Sequence, residues 1–106
     1  MIVYVAGPMT GYPEYNYPAF ESAREQLESL GYEVLSPTDT KEPPGTDYQG
    51  ASWSWYLRRA LEMVALADGI ALLPGWENSK GAQLEKYVGE QLGLDVRIYK
   101  DWGMGR

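Results

Sequence analysis

Any chemistry in this chain must be carried by carboxylates, hydroxyls, Lys or Arg, because the sequence contains no His and no Cys. That composition excludes disulfides, zinc sites built from Cys or His, and catalysis centred on either residue. Glu85 is the notable carboxylate, since it lies four residues after Gly81 and three before Val88. On a helix this spacing places Glu85 beside the buried stripe, one turn from the amino-terminal end. Most helical glutamates are solvated, so the spacing alone leaves both interpretations open.

Two glycine-rich loops follow predicted strands and are candidates for binding an anion. One is Gly7-Pro8-Met9-Thr10-Gly11, and the other spans 74–81, with Trp76, Asn78, Ser79 and Gly81. The second loop leads into a helix start, which offers free N–H groups and a partial positive charge. Neither loop matches a dinucleotide-binding or Walker motif, and glycines after strands are common in purely structural turns. Trp76 fits a base-stacking position or a core-capping position equally well.

The elements that position these residues alternate between strands and helices. Apolar runs predict strands at 2–6, 32–35, 70–73 and 96–99. Three helices between them are predicted from apolar stripes, namely Phe20, Ala23, Leu27 and Leu30, then Leu57, Leu61 and Val64, then Leu84, Val88 and Leu92. The order β-α-β-α-β-α-β predicts a three-layer α/β fold with a doubly wound parallel sheet of four to five strands, flavodoxin- or Rossmann-like. We expect one domain over residues 1–106, with a ligand at the carboxyl ends of the strands.

The bulk composition limits the partners. Fifteen acidic and nine basic residues give a net charge of −6, which disfavours duplex nucleic acid because backbone phosphates require a basic face. No apolar run approaches the roughly 18 residues of a membrane span, and no signal pattern opens the chain, so we expect a cytoplasmic protein without a membrane partner. The polar loop 38–52 is long enough to predict a lid over the ligand.

Aromatic residues crowd the start of the second predicted helix, at Trp53, Trp55 and Tyr56. Exposed aromatic patches of this kind are typical of protein–protein interfaces. A sheet this small with such a patch predicts a homodimer or a higher homo-oligomer.

Three motifs at their mutual spacing resemble the nucleoside 2-deoxyribosyltransferase-like superfamily. They are YVAGPMTG at 4–11, NYPAF at 16–20, and LPGWENSKGA at 73–82 followed by Glu85. More narrowly, the chain resembles the small branch, frequent in phages and bacteria, that carries A-G-P-M-T-G and L-P-G-W-x-x-S-x-G-A. The resemblance covers nearly the whole chain.

The resemblance implies cleavage or transfer at the N-glycosidic bond of a nucleoside or its 5′-monophosphate, which is the expected small-molecule partner. By this resemblance, Glu85 would attack the anomeric carbon, and Tyr4 would orient the Glu85 carboxylate through a hydrogen bond. The resemblance also implies that the substrate is held by Gly7, Pro8, Met9, Thr10, Gly11, Asn16, Trp76, Asn78, Ser79 and Gly81. Related proteins complete each pocket with a neighbouring subunit. We expect neither a cofactor nor a metal, and we expect Glu85 to be ionised near neutral pH.

One departure from the family pattern concerns the second helix. Relatives place an aspartate eight residues before the Asp that opens the third strand, but counting back from Asp68 gives Ala60. That aspartate helps to protonate the departing base, and Glu62, Asp47 or Asp39 are candidates to replace it. The departure keeps a second hypothesis open, a non-catalytic protein of the same fold that binds or sequesters a nucleotide. A third hypothesis is a structural or interaction protein with a vestigial pocket.

Overall fold

The computed structural model describes residues 1–39 and 53–103, which form a four-stranded parallel sheet covered by helices. The strands are β1 at Ile2–Ala6, β2 at Glu33–Leu35, β3 at Gly69–Leu72 and β4 at Asp95–Ile98. Their order in the sheet is β2-β1-β3-β4, and all neighbouring strands are parallel. The helices are α1 at Tyr17–Ser29, α2 at Trp53–Leu66, α3 at Lys80–Gln91 and the short α4 at Tyr99–Trp102. The winding reverses at β1, and the predicted doubly wound α/β fold is confirmed.

Alternation along β1 divides the core into two layers. Val3 and Val5 face one side of the sheet, where they pack with residues of α1 and α4. Tyr4 and Ala6 face the other side and pack with residues of α2 and α3. All four are buried, as expected for a strand that helices cover on both faces. The phenol of Tyr4 therefore points into the α2–α3 layer and needs a hydrogen-bond partner there.

Two residues predicted for the core lie on the surface instead. Leu30 and Leu92, at the ends of the first and third apolar stripes, are exposed. The reason is that α1 and α3 each end one residue earlier, so both leucines are C-caps that follow the last turn. The stripe periodicity holds only while the helix continues.

The predicted lid falls mainly outside the described residues. Its first two residues belong to a short 3-10 helix at Pro37–Asp39, and 40–52 are not among those the structure describes. None of the helices in the described ranges is long and apolar enough to cross a membrane.

Candidate active site

Helix α3 carries Glu85 into the interior of the protein. Ser79 caps the start of the helix, because its hydroxyl accepts a hydrogen bond from the N–H of Ala82 at 3.1 Å. The buried residues of α3 are Ala82, Glu85 and Gly89, whose spacing places them on one face toward the sheet. Glu85 therefore lies on the buried stripe of α3 itself. The sequence had predicted a position beside that stripe.

Glu85 meets Tyr4 across the layer between β1 and α3. The phenol of Tyr4 donates a hydrogen bond to Oε2 of Glu85 at 2.9 Å, although the two residues are 81 positions apart in the chain. Tyr4 is fully buried, and Glu85 keeps 7% of its surface accessible. A buried carboxyl with a defined hydrogen-bond donor is typical of a site that does chemistry.

The environment of Glu85 favours its neutral form. Burial raises its pKa from the ordinary 4.5 to about 8, and the hydrogen bond from Tyr4 lowers it by less. Burial, and then the neighbouring Glu85, raise the pKa of Tyr4 well above its usual range. The prediction that Glu85 is ionised near neutral pH is wrong, since a pKa of about 8 leaves roughly one carboxyl in ten ionised at pH 7. The helix terminus does not offset burial, because its influence falls off within the first turn and Glu85 lies beyond that turn.

A cavity of about 680 Å³ opens at the carboxyl ends of the strands, with Glu85 in its wall. This volume suits a small-molecule ligand. The lining combines the loop after β1, the start of α3 and one face of α2. Its described members are Gly7, Pro8, Met9, Thr10, Tyr12, Tyr15, Pro37, Trp53, Tyr56, Leu57, Ala60, Asn78, Ser79, Lys80, Gly81, Ala82 and Glu85.

Most of the sequence-predicted site residues come together in this cavity. Eight of them line it, namely Gly7, Pro8, Met9, Thr10, Asn78, Ser79, Gly81 and Glu85. Tyr4 lies behind Glu85, within the core, and reaches the cavity only through its hydrogen bond to that carboxyl.

Three predicted binding residues stand outside the lining, namely Gly11, Asn16 and Trp76. The side-chain amide of Asn16 donates to the carbonyl of Pro8 at 2.9 Å, so Asn16 supports the loop that lines the cavity. Trp76 packs against the α2–α3 core layer, with the Lys86 ammonium 5.6 Å from its ring centroid. Of the two positions open to Trp76, the structure shows the core-capping one.

Sequence reasoning missed a group of aromatic side chains and one cation in the lining. Tyr12 and Tyr15 follow the first glycine-rich loop, and their proximity to it was the available signal. Trp53 and Tyr56, which are predicted to belong to an interface, also line the cavity. Lys80, at the start of α3, places its ammonium 5.0 Å from the ring centroid of Trp53. It is the only cationic side chain in the described lining.

Position 60, where the family pattern has an aspartate and this chain has Ala60, also lies at the cavity. Ala60 lines it, and Glu85 is the only acidic side chain among the lining residues that the structure describes. Glu62 and Asp39, two proposed substitutes, lie outside the lining and form ion pairs of 2.9 Å and 2.6 Å with arginines. Asp47, the third substitute, is not among the residues described.

Comparison with known proteins gives a family match and a set of structural relatives. Residues 1–98 match the family described as a domain of unknown function (DUF4406). None of the curated proteins matches the chain.

The structural relatives include two 2-deoxyribosyltransferases. The one from Leishmania mexicana has 18% identity and a TM-score of 0.68 over 92% of this chain and 62% of its own. The one from Bacillus psychrosaccharolyticus has 22% identity and a TM-score of 0.71 over 92% of this chain and 71% of its own. A conserved protein from Enterococcus faecalis has 23% identity and a TM-score of 0.67 over 91% and 60%. These likenesses show a shared fold, and the chain spans about three fifths of the length of the Leishmania protein.

Proposed function

The chain belongs to the DUF4406 family, and we propose that it cleaves or transfers the N-glycosidic bond of a nucleoside or its 5′-monophosphate, with Glu85 as the nucleophile. The observation that carries the proposal is the buried hydrogen bond from Tyr4 to Glu85, at the wall of a cavity where parallel sheets bind ligands. The fold shared with two 2-deoxyribosyltransferases supports the substrate class. Within their superfamily we place the chain in the small phage and bacterial branch, on its two loop motifs.

The proposed reaction has two steps. One oxygen of the ionised Glu85 carboxylate attacks the anomeric carbon, the bond from that carbon to the base nitrogen breaks, and the electron pair leaves with the base, which takes up a proton from water. Water or a second base then attacks the same carbon and releases the sugar from the Glu85 ester. Tyr4 holds the carboxylate in place through the other oxygen and favours its ionised form.

The substrate would bind across the cavity from the start of α3 to the aromatic side chains. Of the first four N–H groups of α3, that of Ala82 donates to the Ser79 hydroxyl and that of Gln83 to the Ser79 carbonyl. The N–H groups of Lys80 and Gly81, together with the partial positive charge of the helix end, would hold a hydroxyl or a 5′-phosphate. Ser79, Gly81 and the loop at 7–10 surround this end of the cavity. Tyr12 and Tyr56 line the cavity as well, and their rings offer surfaces on which a base can stack.

A nucleotide-binding or sequestering protein without activity is the second candidate function. Ala60 favours it, because this side chain supplies no proton to a departing base. The raised pKa of Glu85 also favours it, since most molecules carry a neutral carboxyl at pH 7. Both observations concern turnover and leave ligand binding unaffected.

Incubation with a panel of nucleosides, deoxynucleosides and their 5′-monophosphates separates the two candidates, with free base measured by chromatography. The panel is run at pH 7 and at pH 9, where Glu85 is mostly ionised. Glu85→Gln keeps the size and the acceptor for Tyr4, and we expect cleavage to fall by roughly 10³-fold or more. Glu25→Gln, an exposed residue of α1 outside the lining, is the matched control and should cleave like the wild type.

The outcomes distinguish the candidates. Equal cleavage by wild type and Glu85→Gln would show that another group is the nucleophile. If neither protein releases base from any member of the panel, yet both bind nucleotides, the sequestering function is correct. A sugar adduct on the wild-type protein in mass spectrometry, absent from Glu85→Gln, would identify the ester directly.

A further inference from the structure

Gly89 lies on α3 one helical turn after Glu85, on the same buried stripe. A Cβ atom added at Gly89 would overlap Cδ1 of Ile70 in β3, and would stand 3.4 Å from Cγ1 of Ile70 and 3.5 Å from Cδ1 of Leu94. Ile70 is fully buried, so its side chain has no solvent to move into. Gly81 in the same helix differs, because a Cβ there would meet nothing within 4 Å. Gly89 is therefore a point of close approach between α3 and the sheet.

The contact at Gly89 and the hydrogen bond at Glu85 are neighbours in space. Tyr4 and Ile70 are paired across the adjacent strands β1 and β3, and such strands lie about 4.8 Å apart. On α3, Glu85 and Gly89 are separated by one turn, which puts them about 6 Å apart along the same face. The helix thus rests on Ile70 through Gly89 and on Tyr4 through Glu85.

We infer that Gly89 is a positioning residue, which sets the distance between α3 and the sheet so that the carboxyl of Glu85 reaches the phenol of Tyr4. A methyl group at position 89 must displace either Ile70 or the helix. Hydrogen bonds between oxygens weaken beyond about 3.0 Å, and the Tyr4–Glu85 bond is already 2.9 Å long. A displacement of a few tenths of an ångström is therefore enough to weaken it. Only the consequence for turnover rests on the function proposed above.

Two substitutions test the inference, because one adds a methyl group to the helix at position 89 and the other removes the methyl group that it would overlap at position 70. Gly89→Ala adds the overlapping carbon, and Ile70→Val removes Cδ1, the atom that it would overlap. The double variant keeps the core volume nearly constant, which cores tolerate well. The readout is the pKa of the Glu85 carboxyl, followed by carbon NMR in each protein with and without Tyr4→Phe.

In the wild type, Tyr4→Phe should raise the pKa of Glu85, because the hydrogen bond from Tyr4 lowers it. In Gly89→Ala we expect Tyr4→Phe to raise that pKa by clearly less than in the wild type, since the bond is already weakened. In Ile70→Val alone, Tyr4→Phe should raise the pKa of Glu85 as much as it does in the wild type. In the double variant, the rise should recover to that same size. A general loss of packing would not restore the response to Tyr4 in this way.

A wild-type response to Tyr4→Phe in the Gly89→Ala protein would overturn the inference, and so would a double variant that fails to regain the response. If Gly89→Ala does not fold, the double variant decides. Its folding with a Tyr4-sensitive pKa supports the inference, and its failure to fold overturns it. The NMR readout needs no substrate, so it stands or fails independently of the proposed function. Where the wild type does cleave a nucleoside, kcat should fall in Gly89→Ala and recover in the double variant.

Discussion

Replacing Glu85 by Gln should make the stability of the protein less dependent on pH. The pKa of Glu85 is raised in the folded protein, so the folded state binds the proton more tightly than the unfolded chain does. The stabilising contribution of the neutral carboxyl is complete below pH 4.5 and is lost progressively as the pH rises through about 8. Glu85→Gln has no proton to lose, and its neutral amide keeps an acceptor for Tyr4.

The size of the effect follows from the two pKa values. The difference between 4.5 and about 8 corresponds to about 5 kcal/mol once ionisation is complete, at about 1.4 kcal/mol for each pKa unit. By pH 7 the wild type has lost about 3 kcal/mol of this relative to the variant. Since a whole domain is stable by only about 5–15 kcal/mol, the difference is easy to measure.

Urea unfolding at pH 5, 7 and 9, followed by tryptophan fluorescence, gives the free energy of unfolding of both proteins. Tyr4 is the titrating group that Glu85 contacts, and burial, the largest cause, keeps its pKa raised in the variant as well. The difference between the two proteins therefore reports mainly on Glu85. That difference should grow in favour of Glu85→Gln by several kcal/mol from pH 5 to pH 9. Glu25→Gln, an exposed change on α1, is the control and should show no such trend. A difference between wild type and Glu85→Gln that stays constant across this range would refute the assignment of a buried, neutral carboxyl.

Three further predictions concern activity and assembly. The kcat/KM for base release should rise through about pH 8 as Glu85 ionises, and Tyr4→Phe should move this rise to higher pH; a flat profile would exclude Glu85 as the titrating group. Ala60→Asp should raise turnover, by about 10²–10⁴-fold if the new carboxyl protonates the departing base, and adding Glu85→Gln should abolish the gain. Sedimentation at micromolar concentration should show a homo-oligomer, with the exposed Trp53 as part of the interface; a monomer at every concentration would contradict this.

The fold could be predicted because its signals are local. The apolar run of β1 and the glycine that follows it predict a covered strand and a turn without reference to any distant residue. The stripe of α1 likewise predicted its buried Phe20, Ala23 and Leu27. Errors arose where a local rule had to be extended past an element's end, as at Leu30 and Leu92. Their side chains continue the spacing, but the backbone no longer continues the helix.

The state of Glu85 could not be predicted in the same way, because it depends on how closely α3 approaches the sheet. A nearby helix start and a hydrogen bond from Tyr4 both lower the pKa of a carboxyl, and on these two effects an ionised Glu85 is expected. The small side chains at Ala82 and Gly89 allow the helix to come close, so burial dominates the pKa. The sequence does contain a sign of this close approach, namely two small residues on the same stripe as Glu85. Their meaning is clear only once this face of α3 is known to pack against the sheet.

The Tyr4–Glu85 pair is difficult to explain as packing alone. A strand covered on both faces and a helix stripe of small residues would accept Phe at position 4 and Leu at position 85 without burying any polar group. The chain instead buries a carboxyl whose ionisation destabilises the folded state by several kcal/mol at high pH. Its partner is a phenol, which leaves the carboxyl without a compensating cation. A chain that keeps a carboxyl at the wall of a cavity at the expense of stability gains nothing in packing from it, and this supports a functional role for Glu85, in catalysis or in ligand binding, over a purely structural one.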